Sequence, residues 1–313
     1  MYRLMEVKGI LGFSFCFALV LAVVSGFCQS PAAQPVFSVI VDRHSGLLRD
    51  ARAMSVAPDG SIYIADTGHN RVLQLSPEGK LISEMGDLGE EHGQFQWPID
   101  IAAEQGTSIW VSDFGNRRVE RFTRRFTWQG TIELPSVNGD TPAQPGLLAV
   151  TVLGDLFVVD QDGQRLLKFN PLGVLQAEFG DRRGPGWISG VRSLAAHMSF
   201  GVVWVDSEAD FVRRMDLFSN ALPHVGEGVL HKPRLVSFSE KSLWIYDSVG
   251  VRRTELDHLE FRTVLDTQTM RGEGVQQLSD FACSGDSLLY LLDGRQGEVW
   301  KVFLPRVQIP YPE

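Results

Sequence analysis

Six apolar segments of this chain each run into an aspartate: IYIAD, IWVSD, LFVVD, VVWVD, LWIYD and LLYLLD. They end on Asp66, Asp113, Asp160, Asp206, Asp247 and Asp293, which stand 47, 47, 46, 41 and 46 residues apart. A period in the forties, cut by turn residues into several short strands, is the spacing of a β-propeller blade. The repeat predicts an all-β protein: a six-bladed β-propeller of four-stranded antiparallel blades. In the first repeat the turns Pro58-Asp59-Gly60 and Pro77-Glu78-Gly79 separate the expected strands, because these residues supply the backbone angles that hairpins need.

The sixth repeat ends soon after Leu304, with no outer strand of its own. Near the other end of the chain, Val36 to Val41 (VFSVIV) is a β-branched and aromatic run with no blade to join. We expect it to supply the missing strand, so that the last blade is closed by the N-terminal strand and two open sheet edges disappear. Large rings three residues before the aspartate (Tyr63, Trp110, Phe157, Trp244 and Tyr290) fit the core between blades. Trp204 comes one place late, which an extra residue in the turn at His197 to Gly201, or a bulge, would explain.

Ahead of the repeats, Arg3 and Lys8 precede an apolar stretch from Ile10 to Val24. This has the layout of an export signal, with Val24 and Gly26 placed for cleavage after Gly26. An uncleaved anchor is the other reading; Cys28 raises lipidation, which Phe27 beside it opposes. The expected organisation is a signal at 1–28, a linker at 29–35 and the propeller at 36–313. The localisation that follows is exported, periplasmic or extracellular, with membrane attachment only through the N-terminal segment. Cys283 is left alone in the folded part, so no disulfide is expected within it. A formal charge of −9 argues against nucleic acid, whose binding draws on Lys and Arg contacts to phosphates.

DTGHNRV (Asp66 to Val72) and DFGNRRV (Asp113 to Val119) closely resemble the signature of the NHL-repeat family of six-bladed propellers. GDLGEEHGQFQWPIDIA (Gly86 to Ala102) is similar to that family's glycine-rich bridge between blades, and the GEG runs at Gly226 and Gly272 are weaker copies. The resemblance implies a monomeric propeller that serves as a platform for a protein, a peptide or another polar ligand. An Asp followed five residues later by Arg recurs in four blades, as Asp66 with Arg71, Asp113 with Arg118, Asp160 with Arg165 and Asp247 with Arg252. So regular a pair reads as structural rather than as ligand-binding. The fourth and sixth blades carry Phe211 and Glu298 at the Arg place.

Propeller ligands usually enter at the channel mouth, near the starts of the inner strands. Counting back from each aspartate places Arg52, Asp100, Arg192, Ser193, Arg234 and Asp280 there, as candidate ligand-binding residues. The arginines would hold a carboxylate or a polar peptide by charge-assisted hydrogen bonds. Enzymes of similar architecture set the contrary expectation, a diverged metal-dependent lyase or hydrolase. The amidating lyases that resemble this scaffold hold zinc by three inner-strand histidines; here one recurrent place for them carries Arg52, Ile99, Gly146, Arg192, Pro233 and Ser279. No histidine triad, nucleophile elbow or phosphate loop is legible. The expectation is therefore a noncatalytic binding scaffold with no catalytic residue, no metal and no cofactor.

Overall fold

The computed structural model describes residues 34–104, 106–137, 139, 141–180, 188, 190–206, 209–218 and 220–305. The expected signal at 1–28 and most of the linker lie outside the described residues. Short β-branched and aromatic runs, broken by Gly, Pro and Asp, give antiparallel strands. In blade 1 these are Ala53–Val56, Ile62–Asp66, Arg71–Leu75 and Leu81–Met85. Gly60 and Gly79 close two of the hairpins at φ +84° and +82°, angles that a side chain would strain.

Among the described residues six such four-stranded sheets occur, and the only α-helix is Thr267–Glu273. They form a six-bladed β-propeller. Inner strands of successive blades touch all round the ring, blade 6 against blade 1 included. The blade aspartates and the bridges between blades lie at one end of the strands, here the bridge face. The tight hairpin turns lie at the other, the turn face.

Val36–Val41 is the outer strand of the sixth blade, paired antiparallel to Glu298–Phe303 with Val36 opposite Phe303 and Val41 opposite Val299. Phe37 meets Trp300 edge-on at 6.3 Å between ring centres. The chain thus enters the ring from the turn face and crosses to the bridge face before starting blade 1.

Each expected ring three residues before its aspartate is buried against the following blade. Tyr63 packs with Ile101 and Phe122, Trp110 with Leu148, and Tyr290 with Met54. Trp204 differs, and for a reason other than the expected insertion. Its strand keeps the blade register, with Ser193 opposite Val205 as Asp100 is opposite Ser112. One step along a strand reverses the face, so Trp204 packs backwards against Phe157 and Ala149 of blade 3. Phe200 and Val203 fill the core towards blade 5 instead.

The bridge into blade 6 also departs from the glycine-rich pattern. Residues Thr267–Glu273 are helical, capped by Asp266 accepting from the Thr269 amide at 2.8 Å and closed by Gly274 at φ +108°.

Candidate functional site

The blade aspartates are fully or almost fully buried, and in blades 1, 2, 5 and 6 each accepts an amide of the bridge before it. Asp66 Oδ1 accepts the Arg49 amide at 2.7 Å, and Asp113 Oδ1 accepts that of Gln96 at 2.8 Å. The arginine five residues on completes the clasp. Arg118 Nε donates to Asp113 at 2.9 Å, while its other nitrogens donate to the carbonyls of Glu90, Glu91 and Gln94. Arg71 and Arg165 bind Asp66 and Asp160 likewise and reach the Leu47 and Pro135 carbonyls. Arg252 Nε lies 3.1 Å from Asp247 without the alignment for a hydrogen bond, yet its Nη1 reaches the Val229 carbonyl.

The two blades without the sequence pair carry substitutes. Arg213 Nε binds Asp206 at 2.6 Å from seven residues on. In blade 6 the buried Glu298 takes Arg43 Nε at 2.6 Å, an arginine supplied by the N-terminal segment after its strand.

In blade 1 the same motif shapes a cleft. Thr67 Oγ1 donates to the Pro98 carbonyl at 2.6 Å, the Gly68 amide to the Arg49 carbonyl at 2.8 Å, and Asn70 Oδ1 accepts the Trp97 amide at 2.9 Å. One loop, Asp66 to Asn70, therefore holds the bridge before it and the bridge after it. A Cβ at Gly68 would stand 2.6 Å from the Arg49 carbonyl oxygen, and one at Gly294 would overlap that of Ala51. Both glycines are needed for this close approach.

The resulting cleft, about 850 Å³, opens on the bridge face over blades 6, 1 and 2. Arg49, Arg52 and Arg295 line it, with Asp50 as the one acid and Trp97 and Phe114 as rings. None of the three guanidinium groups forms a hydrogen bond or ion pair with a described residue. Trp97 is 57% exposed at φ +54°, a conformation strained for so bulky a residue and held by Asn70.

Of the residues expected at the mouth, Arg52 lines this cleft. Arg192 and Arg234 are exposed at the starts of blades 4 and 5, away from the cleft lining. Asp100, Ser193 and Asp280 occupy one repeat position in alternate blades and face the edge amides of the next inner strand. Asp100 accepts from Leu148 at 2.6 Å, Asp280 from Met54 at 2.8 Å, and Ser193 Oγ from Val236 at 3.0 Å.

Burial raises Asp280 to about 7, against the two amides that lower it and with Glu104 adding repulsion. It raises Asp100 well above the usual carboxylate range, helped by Asp280. Desolvation raises the Glu104 carboxyl as well, against hydrogen bonds with Ser55 and nearby amides that lower it. Cys283, beside Ser237 Oγ at 3.3 Å, is pushed by burial up to about 12, which makes it an inert thiol.

Sequence counting missed Arg49, Arg295, Trp97 and Phe114. Arg49 was recoverable: it stands seventeen residues before Asp66, as Gln96 stands before Asp113, and both amides bind the blade aspartate. Nothing in the sequence announces the backbone angle that turns Trp97 outward.

No protein-family profile and no curated protein matches the chain in sequence. Solved structures resemble it in fold. A virginiamycin B lyase from Staphylococcus aureus, solved as an inactive variant with quinupristin, superposes with a TM-score of 0.57 at 13% identity, covering 82% of this chain and 80% of the lyase. A gluconolactonase from Xanthomonas campestris gives 0.62 at 12% identity, covering 88% and 91%. The PQQ-bound aldose sugar dehydrogenase of Streptomyces coelicolor gives 0.55 at 12% identity, covering 88% and 100%. At such identities the likeness establishes the fold alone.

Proposed function

We propose that this is an exported, noncatalytic propeller of the NHL-repeat type that binds an anionic ligand in the cleft at the channel mouth. The observation that carries the reading is the convergence of Arg49, Arg52 and Arg295, none engaged with a described residue, on one cleft of a chain whose net charge is −9. Guanidinium groups are weakly hydrated and present paired donors that match carboxylate and phosphate oxygens. Trp97 and Phe114 add apolar faces, so the ligand carries a flat apolar part beside its charge. A peptide with an acidic and an aromatic residue meets the same description.

A second reading, a propeller hydrolase or lyase, draws on one further observation. Asp280 follows Ser279 of the cleft wall, and a carboxyl with a pKa of about 7 suits general acid–base work. Against it, both Asp280 oxygens are engaged by amides. The metal that such enzymes imply finds no fit either: among the described residues no three His, Cys, Asp or Glu side chains cluster to hold one.

Phenyl phosphate and inorganic phosphate test the binding reading, titrated calorimetrically and by Trp fluorescence. Phenyl phosphate should bind more tightly, and Arg49→Ala/Arg52→Ala/Arg295→Ala should weaken it by about tenfold or more, each lost charge-assisted contact contributing roughly 1.5–3 kcal/mol before screening. Equal affinity in the triple variant would remove the cleft from the account.

A further inference from the structure

We propose that the turn face of blades 3 and 4 rests on a lipid bilayer, with the apolar N-terminal segment retained as its anchor. Three neighbouring turns carry large apolar residues at their tips. Val152 and Leu153 project from the first hairpin of blade 3, Leu172 and Val174 from its outer hairpin, and Phe218 from the outer hairpin of blade 4. Leu172 and Phe218 are each 84% exposed, and the other three lie between 55% and 66%. Single exposed apolar residues are ordinary, but a cluster on adjoining turns marks a contact surface.

Lys168 fixes the adjacency. Its Nζ donates to the Leu217 carbonyl at 3.2 Å and pairs with Asp155 at 3.0 Å, tying the Phe218 turn to the Leu153 turn. The same contacts neutralise Asp155. Asp216, next to the Phe218 tip, is tied back by the amides of Phe218 and Asn220 and by Asn220 Nδ2. Asp155 is thus paired with Lys168 and Asp216 with groups of its own turn, and the apolar tips lead.

The path of the chain selects a bilayer as the occupant. The N-terminal strand begins at Val36 on this same face, where Val36 and its partner Phe303 are 59% and 47% exposed. No charge occurs from Gly9 to Val41, and the run Gly9 to Cys28 has the length and composition of a membrane span. The eight residues from Cys28 to Val36 reach at most about 30 Å, so a membrane that holds the segment lies within that distance of Val36. Arg3 and Lys8, ahead of the apolar run, favour leaving the N-terminus on the untranslocated side. The five apolar tips then hold the turn face against the lipid, an orientation that a linker alone does not fix. The cationic cleft, on the bridge face, points away from the lipid.

Depth-dependent quenching tests this on the full chain. In a Cys16→Ser/Cys28→Ser background, an environment-sensitive dye is attached at Leu172→Cys, Phe218→Cys or, on the bridge face, Glu227→Cys. The protein is reconstituted in phosphatidylcholine vesicles containing a minority of phosphatidylglycerol, with spin-labelled acyl chains as quencher. All three positions are exposed, so the replacements leave the fold intact. The expected result is at least twofold quenching at 172 and 218 and none at 227. Absent quenching at 172 and 218, equal quenching at all three, or a blue shift without lipid quenching, as a protein or a second copy on the patch would give, overturns the proposal.

Discussion

Asp100, Ser193 and Asp280 show how one position in a repeat serves the ring. Inner strands have a free edge towards the channel, and an unpaired buried amide there would cost on the order of 1–3 kcal/mol. Side chains from the preceding blade accept those hydrogens, and two of them are carboxyls held at raised pKa. The sign of the pH effect follows. A carboxyl with a raised pKa binds its proton more tightly in the folded state, so its stabilising share is complete below about pH 4 and is lost as pH rises through about 7. Asp280→Ser keeps an acceptor, as Ser193 does in blade 4, and removes the titration. Thermal melts from pH 4 to 8 should show the wild type losing on the order of 5 °C relative to the variant as pH rises. Parallel curves would contradict the assignment.

At the scale of strands and bridges, the blade count, the strand plan and the closing N-terminal strand were legible because each depends on spacing and alternation. The Trp204 reversal was not, since a one-place shift along a strand looks the same as an insertion until the register is seen. The substitutes Arg213 and Arg43 were hidden for a related reason: their partners are set by space, and Arg43 lies 255 residues from Glu298.

The clasp makes a quantitative claim. Arg118 is mostly buried, and its loss leaves the fully buried Asp113 without its cationic partner and frees three bridge carbonyls. Arg118→Ala should cost about 3 kcal/mol in urea unfolding, and Arg118→Lys should recover little, because an ammonium cannot span the four acceptors. A cost under about 0.5 kcal/mol would place the clasp with ordinary surface pairs. Deleting Val36–Val41 should be far worse, leaving Glu298–Phe303 as an open edge and exposing the core beneath Val41. Size-exclusion chromatography should then find aggregate, and a monodisperse variant with a native melt would refute closure by this strand.

The propeller has two unlike faces. Repeat geometry gathers the bridges, the buried aspartates and the cationic cleft on one face, and leaves tight turns with apolar tips on the other. The sequence places Arg52, Arg192 and Arg234 on the bridge face but spreads them over blades 1, 4 and 5. In the fold the charge gathers on blades 6 and 1, because Arg49 and Arg295 sit on loops whose direction only the fold sets. Anomalous diffraction from crystals soaked in bromide separates the two arrangements directly. The account predicts a bromide peak among the guanidinium groups of Arg49, Arg52 and Arg295, lost in the triple alanine variant. Bromide at Arg192 or Arg234 with that cleft empty would contradict it.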